Sequence, residues 1–321
     1  MFVCPRCKFI MNLPKCEKCR FSFENYENIW RLSDMPDVVT TGESDKYIGY
    51  EFIGENYSGN RKYIINESDY IVAKEIARLT DNGVFLDLAC GDGCFTVPCA
   101  SFGTKIIAGD ISNTMLKLLM QKAEWNNISL NNVTICRMNA LDVPLRNESV
   151  TSVVANGVLH LISNPKKVVN EIHRILETDG YFICKDDKPG RAMKTVFDND
   201  EYNNIVNTLY TDYWKQLGKY GVVPRKYSWK FDRNSYCDLL FKSKETILIE
   251  REKEYEIPLK DGFLPRFLSR GFSDQVEVPK ELHDKVTGEL LEQLKERHGE
   301  NFTEIPFKGI EEDILLTIYK K

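Results

Sequence analysis

The run VFLDLACGDGCF at 84–95 constrains this chain more than any other stretch. Three apolar residues lead into Asp87, glycines follow at 91 and 93, and apolar residues resume at Phe95. That pattern predicts a strand, a tight loop and a helix. Glycine is wanted in such a loop because the backbone turns sharply and a ligand must lie where a Cβ would otherwise stand. The helix that follows turns its unpaired N–H groups towards whatever the loop holds. The loop is built to hold a cofactor.

Two cofactor classes use this design, and charge separates them. A dinucleotide lays its pyrophosphate on the loop against the helix N-terminus. Here Asp87, Asp92 and, further on, Asp110 would ring that phosphate with negative charge, and Thr96 stands where a third glycine would be needed. S-adenosylmethionine has no phosphate and carries a sulfonium and an ammonium, so acids at strand ends attract it by about 1 kcal/mol or more per close unlike pair. The charges favour the methyl donor.

Five blocks in order carry a family resemblance: LDLACGDG at 86–93, IAGDIS at 107–112, MNALDVPL at 138–145, VVANGVLHLI at 153–162 and EIHRILETDGYFI at 171–183. Together they make residues 68–187 resemble the class I S-adenosylmethionine-dependent methyltransferases, the branch that includes the ubiquinone and menaquinone biosynthesis enzymes. The resemblance implies an α/β fold, a doubly wound, mostly parallel seven-stranded sheet with an antiparallel edge. It also implies roles for particular residues. Asp87 sits at a strand end near the methionine ammonium, Ala89, Gly91 and Gly93 form the loop, and Asp92 lies beside the carboxypropyl chain. Ala89 replaces the usual first glycine.

Asp110 ends the next strand, where its carboxylate can accept both hydrogens of a ribose diol; its alternative is a helix cap, a job Ser112 already fills. Ile111 and Met115 either pack on the adenine or belong to the ordinary core. Asn139 stands where the family has an aspartate and can both accept from and donate to the adenine, with the Ala140 N–H beside it. Asn156 matches a position that touches the methionine part or the acceptor. For catalysis, His160 is either a general base or a packed side chain, and Asp187, like Asp186, either orients a substrate hydroxyl or amine or forms a turn. Tyr57, in an aromatic segment before the first core helix, either closes over the cofactor or packs in an interface.

Cys4-Pro-Arg-Cys7 and Cys16-Glu-Lys-Cys19 open the chain. Two CxxC pairs on tight knuckles supply a closed tetrahedral set for a structural Zn2+, without an open coordination position; a reactive dithiol is the alternative. Arg6, Lys8, Lys15, Lys18 and Arg20 crowd this module against the single acid Glu17. They form either an RNA-facing patch or a solvated surface that offsets the thiolates. A zinc module joined to a methyltransferase core partly resembles the bacterial ribosomal RNA guanine-N1 methyltransferases, although those carry a histidine where this chain has Cys19.

The expected organisation is a zinc-binding module at 1–32, a polar linker at 33–46 and a methyltransferase domain at 47–321. Insertions are expected at 190–244, an aromatic-rich lid, and at 258–310, which contains an amphipathic helix on Val286, Leu290, Leu291 and Leu294. Ser68 is read as the cap of a helix over 69–80, Asn164-Pro165 as the start of another, and Asp179-Gly180 as its end. His173 reads as a surface residue.

A net charge of −5 gives no global pull towards nucleic acid or anionic membrane, and no run of about 18 apolar residues occurs. With ten cysteines and no secretory leader, the chain reads as cytoplasmic and disulfide-free. Methyl transfer to a small or medium-sized acceptor is the leading functional expectation. An RNA base methyltransferase and a non-catalytic cofactor-binding or zinc-scaffold protein are the alternatives. Neither the acceptor nor the oligomeric state is written in these residues.

Overall fold

The structure, a computed structural model, describes residues 1–11, 13–33, 63–186, 200–224, 231–249, 253–272, 274–275, 278–311 and 313–321. Two short antiparallel pairs come first, β1 (Phe2–Val3) with β2 (Ile10–Met11) and β3 (Asn25–Tyr26) with β4 (Ile29–Arg31). The alternating part follows as α1 (Glu67–Thr80), β5 (Val84–Leu88), α2 (Thr96–Ser101), β6 (Lys105–Asp110), α3 (Asn113–Trp125), β7 (Val133–Arg137), β8 (Val150–Val154), α4 (Pro165–Ile175) and β9 (Leu176–Asp186). The remainder is α5 (Asp200–Lys219), α6 (Arg233–Leu240), β10 (Ser243–Ile249), β11 (Lys253–Pro258), α7 (Phe263–Leu268), α8 (Lys280–His298), β12 (Pro306–Glu311) and β13 (Ile314–Lys320).

β5 and β6 carry the apolar runs Val84–Leu86 and Ile106–Ala108, as strands buried on both faces do, because helices cover both faces of the sheet they enter. Nine strands make one mixed sheet in the order β10-β13-β9-β8-β5-β6-β7-β4-β3. The chain winds outward from β5 through β6 to β7, then returns to place β8 on the other side of β5. Neighbouring strands therefore send their exits apart, and a crevice opens at their carboxyl ends. β13 runs antiparallel between β9 and β10, which supplies the expected antiparallel edge.

The sheet has nine strands rather than seven because the cysteine-bearing segment adds its own hairpin. β4 lies parallel to β7 with Ile29, Trp30 and Arg31 opposite Ile135, Cys136 and Arg137, and the Leu32 N–H continues the ladder by donating to the Arg137 carbonyl at 2.9 Å. An exposed edge of β7 would leave a row of unpaired amides, and β4 satisfies them.

The regions expected as two insertions share a core. Ile205, Leu209, Tyr213 and Leu217 of α5 pack with Phe267 of α7 and with Val286, Leu290 and Leu294 of α8. Tyr210, Tyr213 and Trp214 point into this cluster, so these lid aromatics serve its interior. β11 and β12 form a separate two-stranded ribbon. α6 instead joins the main core, where Phe241 just beyond it packs near Phe182 and Tyr319.

Three local expectations are corrected. α1 begins at Glu67 after Asn66, not with Ser68 as cap, and Asn66 donates its side-chain amide to Asp69 at 3.2 Å. Asp179-Gly180 do not end α4: the helix stops at Ile175 and β9 runs straight through them, with an irregular register against β8. His173 is half-buried, edge-on to Phe241 at 5.3 Å, rather than on the surface. Asn164 does cap α4, accepting from the Lys167 N–H at 3.1 Å.

Candidate functional site

A cavity opens at the carboxyl ends of β5, β6, β7 and β8, the place the strand order prepares. Its floor is the loop after β5. Ala89, Gly91 and Gly93 all adopt left-handed backbone, with φ of +59°, +55° and +77°. At Gly93 a second constraint applies, since an added Cβ would lie 2.6 Å from Leu119 Cγ of α3. Ala89 bears the strain of a side chain in this region, about 1 kcal/mol, which glycine would not. The loop therefore keeps its left-handed shape despite the substitution.

Three carboxylates organise this floor, and each is already held. Asp87 is 2% exposed, and its Oδ2 accepts from the Thr96 N–H at 3.1 Å and the Thr96 hydroxyl at 2.6 Å. Thr96 thus stands in place of a third glycine because its hydroxyl and amide anchor Asp87 at the start of α2. Burial pushes the Asp87 carboxyl up to about 7; the Thr96 bonds oppose this and the charges of Asp110 and Asp92 add to it. Asp110 ties two strands' exits together: one oxygen accepts from the Gly91 N–H and the other from the Ser112 N–H, both at 2.9 Å. Ser112 caps α3 through the Met115 N–H at 3.2 Å.

Asp92 has a partner that the sequence reading missed. Lys122 Nζ lies 2.7 Å from Asp92 Oδ2, with side-chain exposures of 4% and 15%. This near-buried pair ties the glycine loop to α3 and neutralises one of the three charges. A signal was available. Lys122 occupies an inward position on the helix stripe of Met115, Leu118, Leu119 and Ala123, where a lone cation demands a buried partner.

The remaining wall comes from the exits of β6, β7 and β8. Ile111, Met115, Met138, Asn139, Ala140 and Asn156 line the cavity, with Leu161 and Ile162 closing the far side. The Asn139 side-chain carbonyl accepts from the Leu141 N–H at 2.9 Å, so part of its acceptor capacity fixes the turn on which it sits. Cys90 and Cys94 also face the cavity, and burial with the nearby carboxylates holds both as thiols.

His160 does not line this cavity. It lies in an adjoining depression that shares Asn156, Gly157 and Val158 with the first and is completed by Lys185, Phe231 and Arg233. Burial lowers the His160 imidazole below its ordinary range, so it is neutral at neutral pH. Tyr57 and Asp187 lie outside the described residues, as does the side chain of Asp186.

Residues 86–184 match the family model described as a methyltransferase domain, and that span runs from β5 to β9, the strands that build the cavity. The chain carries a class I, S-adenosylmethionine-dependent methyltransferase domain. Among relatives of this domain, the chain is 26% identical over 196 residues to a demethylmenaquinone methyltransferase of Geobacillus stearothermophilus, covering 60% of this chain and 71% of that one. It is 32% identical over 173 residues to a tRNA/tmRNA (uracil-C(5))-methyltransferase of Idiomarina loihiensis, covering 49% of this chain and 44% of that one. Several curated relatives are longer: the chain spans 34%, 52% and 44% of three of them. A solved phosphoethanolamine N-methyltransferase of Haemonchus contortus superposes with a TM-score of 0.46 at 13% identity, covering 89% of this chain and 61% of that one.

The methyltransferase domain is joined on its β7 side by the cysteine cluster. The Sγ atoms of Cys4, Cys7, Cys16 and Cys19 all lie within 4.8 Å of one another, with 3.6 Å between Cys4 and Cys19 and between Cys7 and Cys16. Four sulfurs at about 2.3 Å from a tetrahedral Zn2+ are about 3.8 Å apart, so the donor set fits that ion. The module touches the domain at the segment that carries Asn139 and Ala140. Val3 donates its N–H to the Pro144 carbonyl at 3.0 Å, and Lys8 pairs with Asp142 at 2.7 Å. Among the described residues, no helix is long and apolar enough to cross a membrane.

Proposed function

We propose that this protein transfers a methyl group from S-adenosylmethionine to a small or medium-sized acceptor by in-line displacement. The observation that carries the reading is the carboxylate-floored cavity at the switch point of the sheet, built on the matched domain. When bound, the cofactor supplies a methyl group activated by a sulfonium. The residues of the chain hold and orient it. Asp110 presents lone pairs to the ribose hydroxyls while its bonds to Gly91 and Ser112 fix its aim. Asp87 and the Gly91–Gly93 turn receive the methionine end, Ile111 and Met115 flank the base, and Asn139 and Ala140 offer polar groups to its edge.

Holding both reactants in line in a dry pocket contributes about 7 to 11 kcal/mol without a covalent step. A base is needed only where the accepting atom loses its proton during transfer. His160, neutral and beside the cavity, is the described residue suited to that task. Cys4, Cys7, Cys16 and Cys19 hold a structural Zn2+ that fixes the N-terminal module against the domain.

An RNA base is the competing acceptor. One of the module's five basic charges is offset by the methyltransferase domain, which lowers its pull on RNA: Lys8 is paired with Asp142 at 2.7 Å. The test is calorimetry with S-adenosylhomocysteine, followed by transfer of a labelled methyl group in cell extract and identification of the labelled product. Absence of S-adenosylhomocysteine binding would overturn the reading. Label found in RNA, with salt-sensitive binding lost on charge reversal at Lys15 and Lys18, would replace the small acceptor with RNA.

A further inference from the structure

We propose that Asp87 exchanges a proton for the ammonium of the cofactor: its carboxyl is protonated in the ligand-free protein and sheds that proton to solvent on binding. The inference rests on the methyltransferase reading above and adds how the amino-acid end of the ligand is recognised.

The placement of donors comes first. Asp87 is 2% exposed at the end of β5 and borders the cavity. The Thr96 N–H and hydroxyl both end on Oδ2, at 3.1 and 2.6 Å, and no donor among the described residues reaches Oδ1. A buried carboxylate oxygen without a donor is strongly disfavoured. A proton on Oδ1 removes that cost and leaves both Thr96 bonds intact.

Countercharge comes second. The other two acids of the cavity floor are provided for: Asp92 lies 2.7 Å from Lys122 Nζ of α3, and Asp110 accepts from the Gly91 and Ser112 N–H groups at 2.9 Å. Asp87 has no cationic partner among the described residues. Its strand neighbours are apolar, Ala108 of β6 on one side and Val154 of β8 on the other. The Cys90 and Cys94 thiols of the loop and the Cys99 thiol of α2 are held neutral by burial, so none supplies countercharge. Lys185 of β9 is turned to Asp69 of α1 at 3.6 Å. Burial, with the charges of Asp110 and Asp92 added, outweighs the Thr96 bonds and pushes the carboxyl up to about 7.

The chemistry of the ligand comes third. An ammonium brings N–H donors and a full positive charge, so it satisfies Oδ1 and favours the ionised carboxyl. One positive charge enters and one leaves, and the floor never holds all of its acids ionised without the ligand's compensation. Asp87 thereby distinguishes a nucleoside that carries an amino acid from one that does not. Because the ligand takes the ionised form, affinity tightens as pH rises through about 7 and levels off above.

The test is calorimetry on the full-length, zinc-loaded protein, in phosphate and in imidazole buffer. The ligands are S-adenosylhomocysteine and 5′-methylthioadenosine, which lacks the amino-acid end. The two buffers differ in protonation enthalpy, so the difference in heat counts released protons. S-adenosylhomocysteine should release about 0.9 proton at about pH 6 and about half a proton at about pH 7, and bind about tenfold tighter at about pH 8 than at about pH 6. 5′-Methylthioadenosine should release none. Asp87→Asn is isosteric with the protonated acid, and in it the release should vanish and the pH dependence flatten. The infrared difference spectrum of the wild type reads the same event without a variant: a protonated-carboxyl band should be lost on binding at about pH 6.

Buffer-independent heat at about pH 6, equal release with 5′-methylthioadenosine, undiminished release in Asp87→Asn, or no loss of a carboxyl band would overturn the proposal. A protein that does not bind S-adenosylhomocysteine refutes the methyltransferase reading and the proton exchange with it. Binding without proton release refutes the exchange alone, so the two failures are distinguishable.

Discussion

Replacing Lys122 by methionine keeps most of the apolar stem of the side chain and removes the ammonium, which takes from the Asp92 carboxylate its close cationic partner in a nearly closed site. At 2.7 Å and an effective dielectric constant of about 20, the gross attraction between the two is about 6 kcal/mol. Desolvation of both groups cancels much of that, so the pair contributes little net relative to an apolar pair. Stranding one partner is a different matter: truncating a buried pair typically costs about 3 to 5 kcal/mol. Asp92 retains 15% exposure, which places Lys122→Met near the lower end, a loss of about 3 kcal/mol.

Adding Asp92→Asn should return about half of that loss, because the carboxylate deprived of the ammonium is no longer charged. The assay is urea unfolding of wild type, both single variants and the double variant at constant pH, read as a double-mutant cycle. Calorimetry with S-adenosylhomocysteine provides the second readout, since Asp92 belongs to the glycine loop that floors the cavity. A loss below about 0.5 kcal/mol in Lys122→Met, or strict additivity in the cycle, would refute the claim that this pair holds the loop to α3.

Gly93→Ala should cost about 1 to 3 kcal/mol and weaken S-adenosylhomocysteine, because its Cβ meets Leu119 at 2.6 Å and its φ is +77°. Ala89→Gly, at φ +59° but without that clash, should be neutral or stabilising by up to about 1 kcal/mol; thermal melts compare the two, and equal destabilisation would contradict the packing argument. Asp87 titrates near 7 in the folded protein and near 4 when unfolded, so between those values the folded chain keeps a proton that the unfolded chain has lost. Its contribution to stability should therefore fall as pH rises from about 4 to about 7 and level off above, and Asp87→Asn should flatten that slope in urea midpoints measured across the range. Cys4→Ser or Cys16→Ser should abolish metal binding as measured by elemental analysis. It should also reduce S-adenosylhomocysteine affinity, since the module braces the turn bearing Asn139 and Ala140 through Val3 and Lys8. Unchanged affinity would separate the module from the cavity.

Much of the cavity floor at the strand ends was legible in the sequence because its parts are local. Gly91 and Gly93 announce a left-handed turn, Asp87 and Asp110 end apolar runs, and Ser112 precedes a helix; each signal lies within a few residues of its effect. The two CxxC pairs are local in the same sense, and they predicted four sulfurs close enough to share one ion.

What only the tertiary structure decided are contacts between segments far apart along the chain. Lys122 reaches Asp92 across 30 residues, β4 joins β7 across about a hundred, and α5 finds α8 to make one core from two excursions. Phe231 and Arg233 meet His160 around a depression that no spacing foretold. Backbone propensity and turn chemistry are written residue by residue, so a sequence exposes them. The matching of buried charges, sheet edges and apolar faces depends on which surfaces meet, and that pairing exists only once the chain has closed on itself.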